Sequence, residues 1–336
     1  MTVSIICPTF NEENYICKCL DSLINNNDNK YKTEFIIIDG LSTDKTREIL
    51  NRFHVNSNII IKDNPMRYVS NGLNIGIKSS TGDIIIRIDA HCEYPKNYIT
   101  NIVDSFLELN ADNVGPVCKT IAANDSTMAN AIAIGISHWF GVGNSMFRIG
   151  TTKNIETDTV PFGCFKREIF DKIGFFDEDL IRNQDDEFNG RIKKNGGKIF
   201  LVASIVVDYV ARDSISKLSK MYYQYGLFKP LVNKKLKMPT SIRQFFPVVF
   251  VLGLILGFAL SFLSNIILFL YIFVVLLYII LLISISVKLS IINKKSGTLK
   301  LLPIVFFSLH LSYGIGYIIG IYRVVLNKKN NVEINR

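Results

Sequence analysis

Two long runs without a charged residue limit what the second half of this chain can form. Residues 245–263 and 266–287 contain no Asp, Glu, Lys or Arg. At about 1.5 Å per residue, a helix made from either run is close to the roughly 30 Å thickness of a membrane's hydrocarbon core. The sequence therefore predicts two membrane helices, joined by a tight turn at Ser264 and Asn265.

A third apolar run, residues 301–326, is interrupted by His310, Arg323 and glycines. This run fits either a third spanning helix or a segment at the membrane interface, and both remain open at this point. The predicted organisation is accordingly a catalytic domain at residues 1–230, a basic linker at 231–244, a membrane region at 245–326 and a basic tail at 327–336.

The net charge of +9 is concentrated beside the membrane segments. Eight Lys or Arg residues lie between positions 212 and 243, against the single acid Asp213. By the positive-inside rule this predicts a multi-pass protein of the inner or plasma membrane, with its catalytic domain cytoplasmic. Anionic membrane lipids are a second expected partner of these residues, and the placement of the charge gives no reason to predict nucleic-acid binding.

The first half alternates short β-branched runs with helical patterns, which predicts a mostly parallel α/β sheet. Its strongest strand lies in GDIIIRIDAHCEYP, residues 82–95. Polar residues follow three of the predicted strands: Thr9, Asn11 and Glu12; Asp39; Asp89 and His91. Right-handed crossovers bring the carboxyl ends of such strands to one edge, where ligands bind in open α/β sheets.

The first strand-to-helix turn has no G-x-G-x-x-G, so the usual backbone cradle for a dinucleotide is missing. If a nucleotide binds at this edge, a divalent cation held by Asp89 and His91 would supply the partner for its phosphates. Taken one at a time, these clusters are equally consistent with ordinary strand-end and helix caps.

Four motifs carry a specific resemblance: CPTFNEE at 7–13, DGLSTD at 39–44, GDIIIRIDAH at 82–91 and RNQDDEFNGRI at 182–192. In this order and spacing they resemble the inverting family-2 glycosyltransferases of GT-A fold, over roughly residues 1–230. The Asp-Ala-His form, Asp158-Thr159-Val160 and QYGLFK at 224–229 are similar to the membrane-anchored subfamily that includes the succinoglycan-type glucosyltransferases.

The resemblance implies a role for each matching residue. Thr9, Asn11, Glu12 and Asp39 would hold the uracil and ribose of a UDP-sugar, and Asp89 with His91 would bind ribose and a divalent cation. Gln224 and Lys229 would lie at the diphosphate. His91 stands where the commonest motif has Asp, and because imidazole suits Mn²⁺ better than Mg²⁺, either cation remains possible.

Asp185 falls where the family has its general base, with Gln184 in place of the usual Glu. A carboxylate at a helix start is stabilised in its ionised form, so we expect Asp185 to be deprotonated at neutral pH. Without the resemblance, acids here would simply complement the helix dipole. Trp139, in a glycine-containing stretch, fits either a core position or a platform for a sugar ring.

These observations predict a membrane-anchored, metal-dependent inverting glycosyltransferase. It would move glucose or a related sugar from a UDP-sugar to a lipid-linked oligosaccharide in surface exopolysaccharide biosynthesis. Two alternatives remain open: a transferase acting on polyprenyl phosphate, and a membrane scaffold that binds the nucleotide-sugar without turnover. A processive synthase ranks lower, because its Gln-x-x-Arg-Trp signature is absent.

Overall fold

The computed structural model describes residues 1–56 and 59–328. They form two compact units. The N-terminal unit combines Met1–Lys119 with Met146–Val210, and the helical unit combines Thr120–Ser145 with the chain from Ala211 onward. The predicted boundary at residue 230 remains a prediction, and most of the predicted tail, residues 329–336, lies outside the described residues.

Nine strands are assigned in the described residues, in one sheet. They are β1 Thr2–Thr9, β2 Lys32–Asp39, β3 Ile59–Asp63, β4 Ile84–Arg87, β5 Cys92–Glu93, β6 Asn113–Ile121, β7 Ile155–Glu156, β8 Cys164–Lys166 and β9 Ile199–Val210. Their order is β3-β2-β1-β4-β8-β6-β9-β5, with β7 beside β9.

The helices of the described residues follow in chain order. They are α1 Ile16–Ile24, α2 Thr46–Asn56, α3 Val69–Ser79, α4 Tyr98–Glu108, α5 Thr127–Ile136, α6 Trp139–Val142, α7 Met146–Ile149, α8 Glu168–Ile173, α9 Gln184–Lys194, α10 Ile215–Leu236, α11 Phe246–Ser261, α12 Asn265–Ile292 and α13 Leu302–Val325. Two 3₁₀ turns, Ile242–Phe245 and Ser296–Lys300, precede α11 and α13.

Strands β1 to β4 form the predicted parallel half of the sheet. Thr9 lies in register with Asp39, and Asp39 with Asp63, so the carboxyl ends of these strands meet at one edge. From β4 onward the sheet turns antiparallel, since β8 pairs with β4 in the opposite direction. Isoleucines of β1, β2 and β4 are buried on both faces, as the continuous apolar runs predict.

Three helices of the described residues are long and apolar enough to cross a membrane: Ile242–Ser261, Asn265–Ile292 and Leu302–Val325. The second is longer than the charge-free run that predicts it, because the helix continues past Lys288 to Ile292. Helix α10 also runs on through Pro230 to Leu236, so residues 231–236 of the predicted basic linker are helical.

Candidate active site

The loops that follow β1 and β2 are hydrogen-bonded to each other. The Asn11 N–H donates to the Ser42 hydroxyl over 2.9 Å, and the Thr43 N–H donates to Asn11 Oδ1 over 2.8 Å. The Glu12 N–H donates to the Thr46 hydroxyl over 2.7 Å. Asn11 adopts a positive φ of 53°, which asparagine tolerates better than most residues. The two loops therefore form one surface at the sheet edge.

Asp39 lies beneath this surface and is only 2 % exposed. One carboxylate oxygen accepts from the Ser42 hydroxyl over 2.6 Å, and the other lies 3.2 Å from the Arg47 guanidinium. Thr9 is also buried, and its hydroxyl donates to the Cys7 carbonyl over 3.3 Å. The structure thus brings Thr9, Asn11, Glu12 and Asp39 to one edge, while their contacts to a nucleotide stay a prediction.

Arg87, at the end of β4, contacts both Asp89 and Asp185, two acids for which the sequence predicts different roles. Its Nη2 lies 2.8 Å from Asp89 Oδ1, and its Nη1 forms an ion pair with Asp185. Burial lowers the pKa of the Arg87 guanidinium, but the carboxylates of Asp185 and Asp89 outweigh burial and raise it above its ordinary value. Arg87 is therefore a permanent buried cation between these carboxylates.

Asp185 lies in the first turn of α9. Burial raises the pKa of its carboxyl to about 6; Arg87 opposes the rise, and the carboxylates of Asp89 and Asp186 add to it. The helix start therefore does not hold this pKa low, although a pKa near 6 still leaves the group mostly ionised at neutral pH. A base with a pKa close to the working pH suits proton transfer, and 30 % of the side chain is exposed.

Helix α9 is held in place by buried contacts of Phe188 and Asn189, which follow Asp185 in this helix. Asn189 donates to the Thr159 hydroxyl over 2.8 Å and accepts from Asn113 over 2.6 Å. Phe188 stacks on Phe176 with ring centroids 4.5 Å apart. These contacts restrict the orientation of the Asp185 carboxylate, as a positioned catalytic group requires.

Asp89 and His91 are the residues predicted to hold a cation. The Asp89 N–H donates to the buried Tyr94 hydroxyl over 2.9 Å, which fixes the backbone after β4. His91 Nδ1 lies 3.6 Å from Glu12 Oε1, so His91 adjoins the loop after β1. Within residues 1–56 and 59–328, no group of three or more His, Cys, Asp or Glu side chains is placed to share a metal ion.

Gln224 and Lys229 lie on α10 in the helical unit, where both are buried, at 1 % and 5 % exposure. Their predicted place at the diphosphate stays a prediction.

Trp139 is 57 % exposed, so a core position for this residue is wrong.

Arg87 is the site residue that the sequence motifs do not single out. The signal was present: one arginine interrupts an otherwise apolar strand between Ile86 and Ile88. Because arginine is rarely buried without a partner, such a position predicts an acidic neighbour. Which acid pairs with it depends on the fold, since Asp185 is 98 residues away along the chain.

Comparison with known proteins identifies the family. Residues 4–174 match the model of glycosyl transferase family 2. A Methanococcus voltae protein, named dolichyl N-acetyl-alpha-D-glucosaminyl phosphate 3-beta-D-2,3-diacetamido-2,3-dideoxy-beta-D-glucuronosyltransferase, is 31% identical over 268 residues, covering 75% of this chain and 80% of that protein. The succinoglycan biosynthesis protein ExoA of Rhizobium meliloti is 28% identical over 247 residues, covering 73% and 74%.

Among solved structures, S. aureus TarS 1-349 in complex with UDP-GlcNAc matches with a TM-score of 0.50 and 15% identity, covering 98% of this chain and 93% of that one. At this identity the likeness concerns the fold alone, and it agrees with the predicted GT-A α/β sheet. Taken with the matched family model, these findings show that the chain is a glycosyltransferase of GT-A fold and belongs to glycosyl transferase family 2.

Proposed function

We propose that this glycosyltransferase is membrane-anchored and inverting, and that it transfers glucose or a close relative from a UDP-sugar to a lipid-linked oligosaccharide. The transfer would occur on the cytoplasmic face, during synthesis of a surface polysaccharide. The observation that carries the proposal is the double ion pair of Arg87 with Asp89 and Asp185. The Arg87 guanidinium therefore contacts both Asp89, the acid proposed for the diphosphate side, and Asp185, the acid proposed as the base.

The names of two relatives support the acceptor class. The M. voltae relative is named for a dolichyl-phosphate-linked sugar, and the R. meliloti relative is named for succinoglycan biosynthesis. The first name also specifies a diacetamido-glucuronosyl group as the sugar transferred. Donors to be tested therefore include acetamido sugars and uronic acids beside UDP-glucose.

Donor binding would use the surface formed by the loops after β1 and β2. Carboxylate and amide oxygens at Asn11, Glu12 and Asp39 suit the N–H groups of uracil and the ribose hydroxyls, and Thr9 completes this set. Gln224 and Lys229 remain the proposed diphosphate contacts. Lys229 suits this task because a lysine ammonium can offset the charge of a leaving group.

Asp89 and His91 would hold the divalent cation. A carboxylate and an imidazole fit Mn²⁺, with Mg²⁺ the alternative, and two protein groups suffice where diphosphate oxygens and water complete the coordination. Such a cation neutralises charge on the departing diphosphate when bound. No three-ligand cluster exists in the part of the chain that the structure describes, so the donor itself would have to supply ligands.

Asp185 would accept the proton of the acceptor hydroxyl as that oxygen forms a bond to the anomeric carbon and the bond to UDP breaks. Attack from the face opposite UDP inverts the configuration at that carbon. Arg87 would keep the Asp185 carboxylate oriented and favour its ionised form through their ion pair. Arg87 thus acts as a positioning residue, and Asp185 is the catalytic residue.

Replacing the proposed base provides the test. Asp185→Asn should lower the transfer rate by roughly 10²- to 10⁴-fold while leaving UDP affinity nearly unchanged, because general-base catalysis contributes about that much. The neighbouring Asp186→Asn is the matched control and should retain most of the activity. NMR of the product should show inverted anomeric configuration.

Near-normal transfer by Asp185→Asn would show that the base assignment is wrong. It would favour the alternative acceptor, polyprenyl phosphate, which is already an anion and needs no base. A product with retained configuration would contradict the inverting mechanism itself.

A further inference from the structure

Helix α13 packs side by side with α10 inside the helical unit. A Cβ atom added to Gly226 would lie 2.1 Å from the Tyr313 carbonyl oxygen, and one added to Gly316 would lie 2.2 Å from that of Tyr223. One added to Gly320 would lie 2.4 Å from the carbonyl oxygen of Leu227. The two backbones therefore touch, and both helices run in the same direction along this contact.

Helix α10 is too charged to lie in hydrocarbon. It carries Lys217, Lys220 and Lys234 as exposed residues, and each charge at the centre of a bilayer costs about 3 kcal/mol even on permissive scales. Lysines near a membrane place their ammonium groups at the headgroups instead. The second half of α13 packs along α10 and therefore lies at the same depth relative to the bilayer, outside the hydrocarbon core.

The contacts of α13 with α11 lie in the first turns of α11, and its contact with Tyr278 lies halfway along α12. A Cβ atom on Gly314 would lie 2.3 Å from the Pro247 carbonyl oxygen, in the first turn of α11. His310 Nδ1 lies 3.0 Å from the Tyr278 hydroxyl, and the rings of Phe250 and His310 are 5.9 Å apart.

A helix that crossed the membrane beside the hairpin of α11 and α12 would continue toward its turn at Ser264, roughly 20 Å beyond Phe250 at 1.5 Å per residue. Past Gly314 the chain instead returns to α10. The Asn233 amide donates to the Tyr317 hydroxyl over 2.9 Å and to Gln244 over 2.9 Å, just before α11 begins. Helix α13 thus passes the first turns of α11 and continues along α10, and does not follow α11 toward Ser264.

Helices α5 and α6 pack on the first half of α13. Residues 126–147 contain no Asp, Glu, Lys or Arg. A Cβ atom on Gly135 would lie 2.6 Å from Val305, and one on Gly141 would lie 3.0 Å from Leu309. His310 Nε2 lies 2.7 Å from the Phe140 carbonyl oxygen, so α6 joins the cluster of aromatic rings around Tyr278.

Basic residues flank this segment at both ends. The Arg243 guanidinium lies 3.3 Å from Asn144 Oδ1, and the Lys295 ammonium contacts Asn130. Between residues 128 and 143, Trp139 is the exposed side chain. An exposed tryptophan beside aromatic rings and lysines is typical of the membrane interface, where the amphipathic indole is favoured.

We propose that α5, α6 and α13 together form a surface that rests in the interfacial layer of the bilayer, with Trp139 as its anchor. Within the described residues, the hairpin of α11 and α12 would then be the membrane-crossing element, and α13 would not cross. The residues before α11 and those after α13 would lie on one side of the membrane. This arrangement concerns the lipid surface and is independent of the proposed reaction.

The depth of Trp139 can be measured directly, because it is the single tryptophan of the chain. In the full-length protein in lipid nanodiscs, we expect blue-shifted emission that brominated lipids quench, with bromine near the headgroups about twofold more effective than bromine near the acyl ends. Trp139→Phe should remove this emission. Strong quenching by aqueous iodide without quenching by brominated lipid would overturn the proposal, and so would stronger quenching by the deep bromine.

Sidedness tests the course of α13. In a Cys17→Ser background, which removes the exposed cysteine, single cysteines are introduced by Lys166→Cys, Leu263→Cys and Asn327→Cys, and an impermeant maleimide is added to sealed vesicles of one orientation. Asn327→Cys should label from the same side as Lys166→Cys, and Leu263→Cys from the opposite side. Labelling of Asn327→Cys together with Leu263→Cys would show that α13 crosses.

Discussion

The two units hold themselves together by different means. In the N-terminal unit, buried polar side chains are paired with one another, as Arg87 is with Asp89 and Asp185. In the helical unit, glycines such as Gly226 and Gly316 let two backbones touch. A buried charge is visible in the sequence where it interrupts an apolar strand, as Arg87 does, whereas close backbone contact leaves only scattered glycines. This contrast explains why the first unit could be interpreted from its sequence more completely than the second.

The largest expected effect comes from breaking the buried pair. Arg87→Met leaves two partly buried carboxylates without their cation, and should lower the free energy of unfolding by about 4 kcal/mol. Arg87→Lys should lower the free energy of unfolding by less than Arg87→Met does. It keeps the charge, but an ammonium cannot reach two carboxylates as a guanidinium fork does. Denaturant unfolding of the solubilised protein measures both.

The control for this change is the exposed pair of Lys30 and Asp104, 2.7 Å apart. Lys30→Met should leave the unfolding midpoint unchanged, since exposed pairs contribute little. Equal losses from Arg87→Met and Lys30→Met would remove the contrast between buried and exposed charge pairs on which the active-site account depends.

A smaller loss is expected where the helices of the helical unit touch. Gly316→Ala places a Cβ atom against the Tyr223 carbonyl and should cost about 2 kcal/mol, because one backbone must move. Gly253→Ala is its matched control, since its Cβ atom would meet nothing within 4 Å, and it should leave the melting temperature unchanged or raised. Thermal melting in detergent distinguishes them; equal tolerance of both changes would contradict the close packing.

The smallest effect is a change of rate with pH. Only the ionised Asp185 carboxylate can accept a proton, and its pKa is about 6. We expect kcat/KM to be constant above this pH and to fall roughly tenfold for each unit below it. The charged groups around the carboxyl are Arg87, Asp89 and Asp186. An unchanged rate down to pH of about 4, the ordinary range of an aspartate, would contradict the raised pKa.

The sheet edge was predictable because each strand ends in a polar group and parallel strands share one edge. Thr9 therefore lies beside Asp39, as the register confirms. The partner of Arg87 could not be predicted in this way, because that contact joins positions 98 residues apart and depends on how β8 and α9 return to β4. The helix start alone predicts an ionised Asp185, whereas burial is the largest influence on the pKa of its carboxyl.

The helical unit was predictable in its elements but not in their contacts. Charge-free runs located α11 and α12 within a few residues. The third apolar run left spanning and interfacial positions open, because hydropathy records composition and not which neighbour a helix touches. The inclusion of residues 120–145 in this unit likewise depends on packing against α13.

The central claim, that this chain turns over a UDP-sugar at the edge where Asp89 and Asp185 meet Arg87, is tested most directly by UDP release. The solubilised protein is incubated with a panel of UDP-sugars and host lipid extract, in Mn²⁺ or in EDTA. We expect metal-dependent release with one donor, abolished by Asp89→Ala and lowered roughly 10²- to 10⁴-fold by Asp185→Asn. Measurable UDP binding without release from any donor would contradict this claim and favour a nucleotide-sugar-binding scaffold.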